Sequence, residues 1–520
     1  MLFNSFEFIF LFLPITLFGF FFIGRRNNHQ IAISWLILSS LFFYAWWNPA
    51  YLALMLFSIL FNYAFGRMLS SGEKPNIRKY LLWVGVLTNL GFLGYFKYAN
   101  FFVDQLNWAT NSNFHLEKIL LPLAISFFTF QQIAFLVDSY RRETEEFNFL
   151  QYCLFVTFFP QLIAGPIVHH KEMMPQFASH QTYKINYELL ANGLIIFTIG
   201  LFKKVILADG VAVYATPIFG EAEAEIAMTF FSAWGGALAY TLQIYFDFSG
   251  YSDMAIGIAL MFGIKLPMNF NSPYKSQSII EFWRRWHVTL SKFLQDYVYI
   301  TLGGSRNGDI RRYVNLFLTM VLGAIWHGAG WTFVIWGVLH GTYLMINYSW
   351  RKLRFDILKL KPKVGLIESF FASKLTLLAI IVGSVYFRAE TVNGAHHMLY
   401  SMFGGNGISL PSGLETIFWN SLTNFGITYE GVFNGTNAEL GEGIKWIMLF
   451  LLLALYSPNS DEISKYISRK SSCINNNLII NQRVKFRSIL PNSLAVIVGI
   501  AFAYCILHLS RVSEFLYFQF

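Results

Sequence analysis

Charge is scarce in this sequence: Asp, Glu, Lys and Arg make up 13% of its residues, about half the share usual in a soluble domain. Apolar residues fill the space, at 55% of the chain and a mean hydropathy of +0.47. A soluble multidomain protein does not fit that balance. Cysteine is scarcer still. Cys153, Cys473 and Cys505 are widely spaced with no CxxC pair, so neither a disulfide framework nor a zinc site is indicated. There is no GxSxG, hence no sign of a soluble serine hydrolase domain, and no low-complexity tract, internal repeat or long linker. The first run, MLFNSFEFIFLFLPITLFGFFFIG, has no basic residue before Arg25; it reads as a retained span rather than a cleaved signal peptide. The chain is expected to be one membrane domain over 1–520.

What is present suits lipid. There are 56 Phe, 14 Trp and 27 Tyr, a supply of aromatic surface for acyl chains and headgroups. A membrane helix needs about 20 mostly apolar residues. Candidate runs lie near 7–23, 31–47, 51–69, 80–96, 119–137, 149–168, 188–208, 227–246, 250–264, 313–326, 331–348, 375–387, 445–457 and 492–509. Several are short for an untilted span. The expected fold is an all-α polytopic integral membrane protein of roughly 11–13 membrane segments, some re-entrant or broken, around a central cavity. Pro160, Gly165 and Pro166 in FFPQLIAGPI predict a run that bends back, because proline removes a backbone donor.

The net charge of +9 follows topology rather than nucleic acid. Arg25 and Arg26, then Arg67, Lys74, Arg78 and Lys79, then Arg141 and Arg142 fall at alternate loops, as cytoplasmic connections do. The amino terminus is therefore expected outside. Lys and Arg between 351 and 374, and again between 458 and 490, mark cytoplasmic stretches. Glu390, Glu415, Glu430, Glu439 and Glu442 mark 388–443 as an extracytoplasmic loop, and FLYFQF ends outside.

Four clusters could carry chemistry, since ionisable groups at membrane depth are costly. In IYFDFSGYSDMAIG, Asp247 and Asp253 flank a polar turn of Ser249, Gly250 and Ser252. It reads either as a capped helix break or as a substrate-lining cluster. In EFWRRWHVTLSKFLQDYVY, helical spacing puts Trp283, Trp286, Leu290, Phe293 and Tyr297 on one side and Arg284, His287, Ser291 and Gln295 on another. The pattern predicts an amphipathic helix in the cytoplasmic interface. It is either a plain basic anchor or the mouth of a site where Arg284 and Arg285 lower the pKa of His287 and keep it neutral. In AIWHGAGWTFVIWGVLHG, His327 is flanked by Trp326, Gly328 and Gly330, glycines that allow close approach. Taken alone, His327 reads first as a hydrogen-bonded packing residue and only then as a functional base; His340 is expected to be a packing residue. In YFRAE, Arg388 reads as an interfacial anchor.

Together these motifs resemble the membrane-bound O-acyltransferase family, in the branch of alginate O-acetylation and teichoic acid D-alanylation. The likeness runs over nearly the whole chain: MLFNSFEFIFLFLPI, AGPI, YFDFSGYSD, NFNSPYKSQSIIEFWRRWHVTLSKFLQDYVYITLGGSR, WHGAGW, YFRAE and FLYFQF. WRRWH and WHG are specific; AGPI alone is weak. The outer loop and the length favour the acetyl branch. The resemblance implies that His327 is the family's essential histidine and His287 its second histidine or asparagine position. It further implies a thioester donor, acetyl-coenzyme A or an acyl carrier, with no permanently bound cofactor and no metal. Arg284 and Arg285 would suit donor phosphates. Trp286, Trp326, Trp331, Asp247, Ser249 and Asp253 are candidate cavity residues. A separate periplasmic or membrane-anchored acetyltransferase would finish the modification of an exopolysaccharide outside a bacterial inner membrane, with membrane lipids around the chain and no nucleic acid. D-alanyl transfer is the alternative within the class. A polysaccharide or lipid-linked sugar transporter and a structural scaffold are the alternatives outside it; both predict tolerance of substitution at His327.

Overall fold

A computed structural model describes residues 1–26, 28–144, 148–360, 365–410, 427–429, 440–466, 492–510 and 516. Lys361, Lys363, Glu415, Glu430, Glu439, Cys473, Arg469, Lys470, Arg483, Lys485, Arg487 and most of FLYFQF lie outside the described residues. Helix dominates; a two-residue parallel pair, Ile408–Ser409 with Ile427–Thr428, is the sheet present among the described residues. The chain divides into two compact units: Met1–Phe202, Gly250–Met268 and Ser460–Val512 form one, and Lys203–Ser249, Asn269–Asn459 and Ser513–Phe520 the other.

In the first unit Leu13–Gly24, His29–Ala45, Ala50–Ser71, Pro75–Leu93, Ile125–Tyr140 and Tyr187–Phe202 are helices. Ala50–Ser71 turns a helical stripe of Met55, Ser58, Ile59, Asn62, Gly66 and Leu69 inward. Its outward residues, Leu56, Phe57 and Leu60, are also large and apolar, the arrangement of a helix solvated by lipid. Two of the amides turned inward pair with each other. Asn62 Nδ2 donates to Asn89 Oδ1 at 3.1 Å and Asn89 Nδ2 to Asn62 Oδ1 at 2.7 Å, a reciprocal amide bridge between helices. Ala50–Ser71 and, in the second unit, Leu366–Arg388 are long and apolar enough to cross a membrane; Phe8–Gly24, His29–Ala45, Gly443–Tyr456 and Ala495–His508 are shorter apolar helices. The run at 149–168 is interrupted: Phe149–Thr157 ends and Phe159–Leu162 makes one turn with Pro160 near its start, where a missing N–H does no harm.

Two expectations are corrected. The polar turn at 247–253 is not a break, because Phe230–Met261 is one continuous helix. Its small residues serve packing: in the first unit a Cβ on Gly257 would come within 2.6 Å of Gly193 O, and one on Gly200 within 2.6 Å of Met254 N. The backbones touch, so glycine is required. The amphipathic helix through Trp286 and His287 is likewise broken into Ile279–Arg285 and Val288–Phe293. Trp286 is extended and His287 is left-handed, with φ of +44°. The irregular segment at 269–271 takes over the backbone pairing, Asn271 N donating to Arg285 O at 2.9 Å and Val288 N to Asn269 O at 3.0 Å.

Also in the second unit, Gly308–His327 and Trp331–Lys352 form a helical hairpin, and Leu366–Arg388 packs beside the latter. A Cβ on Gly337 would stand 2.5 Å from Ala324 Cβ, so the two helices of the hairpin close to backbone contact. That closeness brings His327, at the end of one helix, near the first turns of the next.

Candidate active site

The second unit holds a partly open cavity of about 50 Å³ lined by Ile244, Phe248, Tyr274, Phe282, Trp286, His327, Trp336, His340, Ile380, Ser384 and Phe387. His327 is the last residue of its helix, released by an extended Gly328. It is buried, with its ring against Trp326 at 4.9 Å, Phe387 at 5.3 Å and Trp336 at 5.4 Å. His340 is buried one turn beyond Trp336. Its ring lies 4.8 Å from Trp336 and 5.3 Å from Trp283, and its Nδ1 has no hydrogen-bond partner among the described residues. Two imidazoles thus face one small, largely aromatic space. Its remaining polar groups are engaged. Tyr274 Oη donates to Thr241 O at 2.5 Å, and Ser384 Oγ donates to Ile381 O at 2.7 Å, with Thr241 Oγ1 2.8 Å away.

His287 is not part of this lining. It is fully buried behind Phe248, whose ring it meets edge-on at 4.8 Å. Its Nδ1 lies 3.1 Å from Asn269 Oδ1, which also accepts from Thr289 N at 3.3 Å and Thr289 Oγ1 at 3.0 Å. A backbone N–H can only donate, so that atom of Asn269 is the oxygen. Nδ1 of His287 must then carry the proton, which leaves the lone pair of the neutral ring at Nε2. His287 lies outside the long and the shorter apolar helices named above, and burial pushes its pKa down to about 3. The cause is desolvation, not the neighbouring arginines expected from the sequence.

The other expected residues separate into distinct settings. Trp286 lines the cavity, stacked on Phe282 at 5.6 Å. Trp326 is outside the lining and lies against His327, a lining residue. Trp331 is 54% exposed and outside the lining; Trp336 occupies the wall expected of it. Asp247, Ser249 and Asp253 are buried but do not line the cavity. Asp247 accepts Lys204 Nζ at 2.5 Å, and the same ammonium is 3.0 Å from Asp209. Asp253, in the first unit, accepts Ser460 Oγ at 2.7 Å. Arg285 is held by Glu281 at 2.8 Å and by Asn271 O at 3.2 Å. Arg284 is exposed and lines a second, polar cavity of about 440 Å³ together with Arg312, Ser291, Gln295, Ser305 and Tyr348. No carboxylate stands among that cavity's described lining residues. Trp283 belongs to its wall, and the same indole is 5.3 Å from His340 and 5.8 Å from Trp336. The described residues contain no cluster of three or more His, Cys, Asp or Glu able to hold a metal.

The sequence reading assigned His340 to packing and did not single out Trp336, Arg312, Asn269 or Lys204, which the structure places in or beside these sites. For His340 a signal existed, its spacing of one helical turn from Trp336. Asn269 and Lys204 act through contacts distant in sequence, which periodicity does not report.

Residues 76–357 match MBOAT, the membrane-bound O-acyltransferase family. A peptidoglycan O-acetyltransferase of Helicobacter pylori is 46% identical over 441 residues, spanning 79% of this chain and 81% of its own. A probable alginate O-acetylase of Azotobacter vinelandii is 44% identical over 410 residues, 78% of each chain. More distant is a teichoic acid D-alanyltransferase of Streptococcus thermophilus, 27% identical over 258 residues, 48% of this chain and 62% of its own. With the apolar helices and the histidine cavity, this identity and coverage decide the matter: the chain belongs to the membrane-bound O-acyltransferase family and is a membrane O-acetyltransferase.

Proposed function

We propose that the protein takes an acetyl group from a cytoplasmic thioester, acetyl-coenzyme A or an acyl carrier protein, and passes it across a bacterial inner membrane toward an extracytoplasmic polysaccharide. The chain is multi-pass, with its amino terminus outside. The observation that carries the reading is His327, a base lining a small aromatic cavity whose hydroxyls are already bonded. In such a space an imidazole takes the proton from an acceptor hydroxyl as the oxygen attacks the thioester carbonyl. The C–O bond forms, the C–S bond breaks, and the proton returns to the leaving thiolate. Exclusion of water protects the thioester from hydrolysis.

Arg284, joined by Arg312, supplies the positive charge for donor phosphates in the polar cavity; Arg285, already engaged by Glu281, contributes less. His287 supports the site from behind Phe248. Asp247, Ser249 and Asp253 act as buried structural polar groups rather than as substrate contacts. A separate periplasmic or membrane-anchored acetyltransferase receives the acetyl group and completes its transfer to the glycan. The relatives' names carry alginate and peptidoglycan, and both are polymers of the class proposed here.

D-alanyl transfer is the second reading. It would bring an ammonium beside the thioester carbonyl, and a buried ammonium requires a partner. The described lining of the cavity holds no carboxylate to neutralise it. Acetyl carries no such charge. The test is incubation of membranes with labelled acetyl and D-alanyl thioesters, comparing the wild type with His327→Ala at matched, folded expression. Acetyl label that disappears in the variant supports the proposal. Label unchanged in the variant sinks the role of His327 and reopens the transport and scaffold readings.

A further inference from the structure

We infer that Ile244 and Ile380 set the length of the acyl group the enzyme accepts, closing the histidine cavity on an acetyl group. The inference rests on the reading of that cavity as the place where the acyl carbon reacts. Its basis is volume. One water-sized occupant takes about 10–15 Å³ of cavity on the measure used for buried water, so a cavity of about 50 Å³ admits a group of only a few heavy atoms. A carbonyl with its methyl fits; each further methylene held inside must displace a side chain from the wall or push the carbonyl back toward the opening, away from His327.

Most of the wall is poorly placed to yield. Trp286 is stacked on Phe282, Trp336 is wedged between His327 and His340, and Phe387 touches both His327 and Trp336. Tyr274 and Ser384 are fixed by hydrogen bonds. The aliphatic surfaces that remain are Ile244, on Phe230–Met261, and Ile380, on Leu366–Arg388. Ile380 is buried and stands one helical turn before Ser384. Both are β-branched and stiff at χ1 on a helix, so neither swings aside to make room. Cores this dense resist an added methylene, and an apolar pocket discriminates one methylene by about 10–200-fold.

The test supplies acetyl-, propionyl- and butyryl-coenzyme A, each labelled in the acyl group, to membranes holding the full-length enzyme. Transfer of label to acid-insoluble polymer is compared for wild type, Ile244→Ala, Ile380→Ala, the milder Ile380→Val and the control Ile381→Ala. Ile381 is buried on the same helix but does not line the cavity. Wild type should strongly prefer acetyl. Ile380→Ala or Ile244→Ala should raise the butyryl-to-acetyl ratio by about tenfold or more. Ile380→Val should shift propionyl alone, and Ile381→Ala should keep the wild-type ratio. Ratios unmoved in both alanine variants while acetyl transfer persists would overturn the inference. A wild type that transfers none of the three, either from coenzyme A or from the matching acyl carrier protein thioesters offered in parallel, would instead overturn the underlying reading of the cavity.

Discussion

Asn269 Oδ1 holds His287 Nδ1 at 3.1 Å while accepting the backbone N–H of Thr289 at 3.3 Å. The amide therefore fixes which nitrogen of the buried imidazole bears the proton. Asn269→Leu removes that acceptor and strands the ring; transfer should fall by about 10–100-fold, the loss typical of a group that orients another. Asn269→Asp keeps an acceptor and should retain more activity. Rates measured at equal folded protein distinguish the two variants.

The burial of His287 has a pH signature. Its folded pKa, about 3, is depressed below the ordinary value near 6.5, so the unfolded chain binds the proton more readily between those limits. The stability this burial confers is complete above about pH 6.5 and is lost as pH falls toward 3, by at most about 1.4 kcal/mol per pH unit. Thermal melts of the solubilised protein across that window should show the decline, and His287→Gln should flatten part of it. Identical slopes in the two proteins would contradict the assignment.

His327→Ala should reduce acetyl transfer by about 10²–10⁴-fold, the range of a lost general base, with the melting temperature little changed. Expression and melting are followed alongside the label so that loss of chemistry is separated from loss of protein.

Arg284→Ala and Arg312→Ala should each raise the KM for acetyl-coenzyme A, by about tenfold, with kcat largely kept, since contacts made equally in ground and transition states appear in KM. Arg285→Ala should do less, because Glu281 already holds that guanidinium. Equal effects from all three would point to general surface charge instead of a donor pocket.

Lys204 sits between Asp247 and Asp209 in the second unit. Lys204→Met leaves two acids without their cation and should destabilise by about 3–5 kcal/mol. Lys204→Met combined with Asp247→Leu should recover part of that loss, as removing both partners of a buried pair costs less than removing one. Thermal melts of the single and double variants measure the recovery.

Much of this was legible in the sequence. All-helical membrane character follows from composition. His327 was conspicuous as a titratable residue in apolar sequence, but alone it read as packing, and its proposed role came from the resemblance of WHG to the family. What misled was local pattern. Trp283 to Tyr297 has helical spacing, yet the segment at 269–271 competes for its backbone and breaks the helix at His287. Asp247 to Asp253 has the composition of a turn, yet glycine packing and a lysine distant in sequence let the helix run on. Trp331 and Trp336 are indistinguishable as letters; only the position of the neighbouring helix decides which ring faces inward. Long-range partners, not propensities, decided each of these.

The left-handed backbone at His287 constrains what position 287 can be. Few residues other than glycine settle there readily, and asparagine, aspartate and histidine lead them. Histidine and asparagine are the two that can also hold a neutral polar head in a buried place. A family alternating between them at this point would be drawing from a short alphabet set by the main chain before any demand of chemistry. His287→Asn should therefore fold, whereas His287→Val, of smaller volume but β-branched, should not.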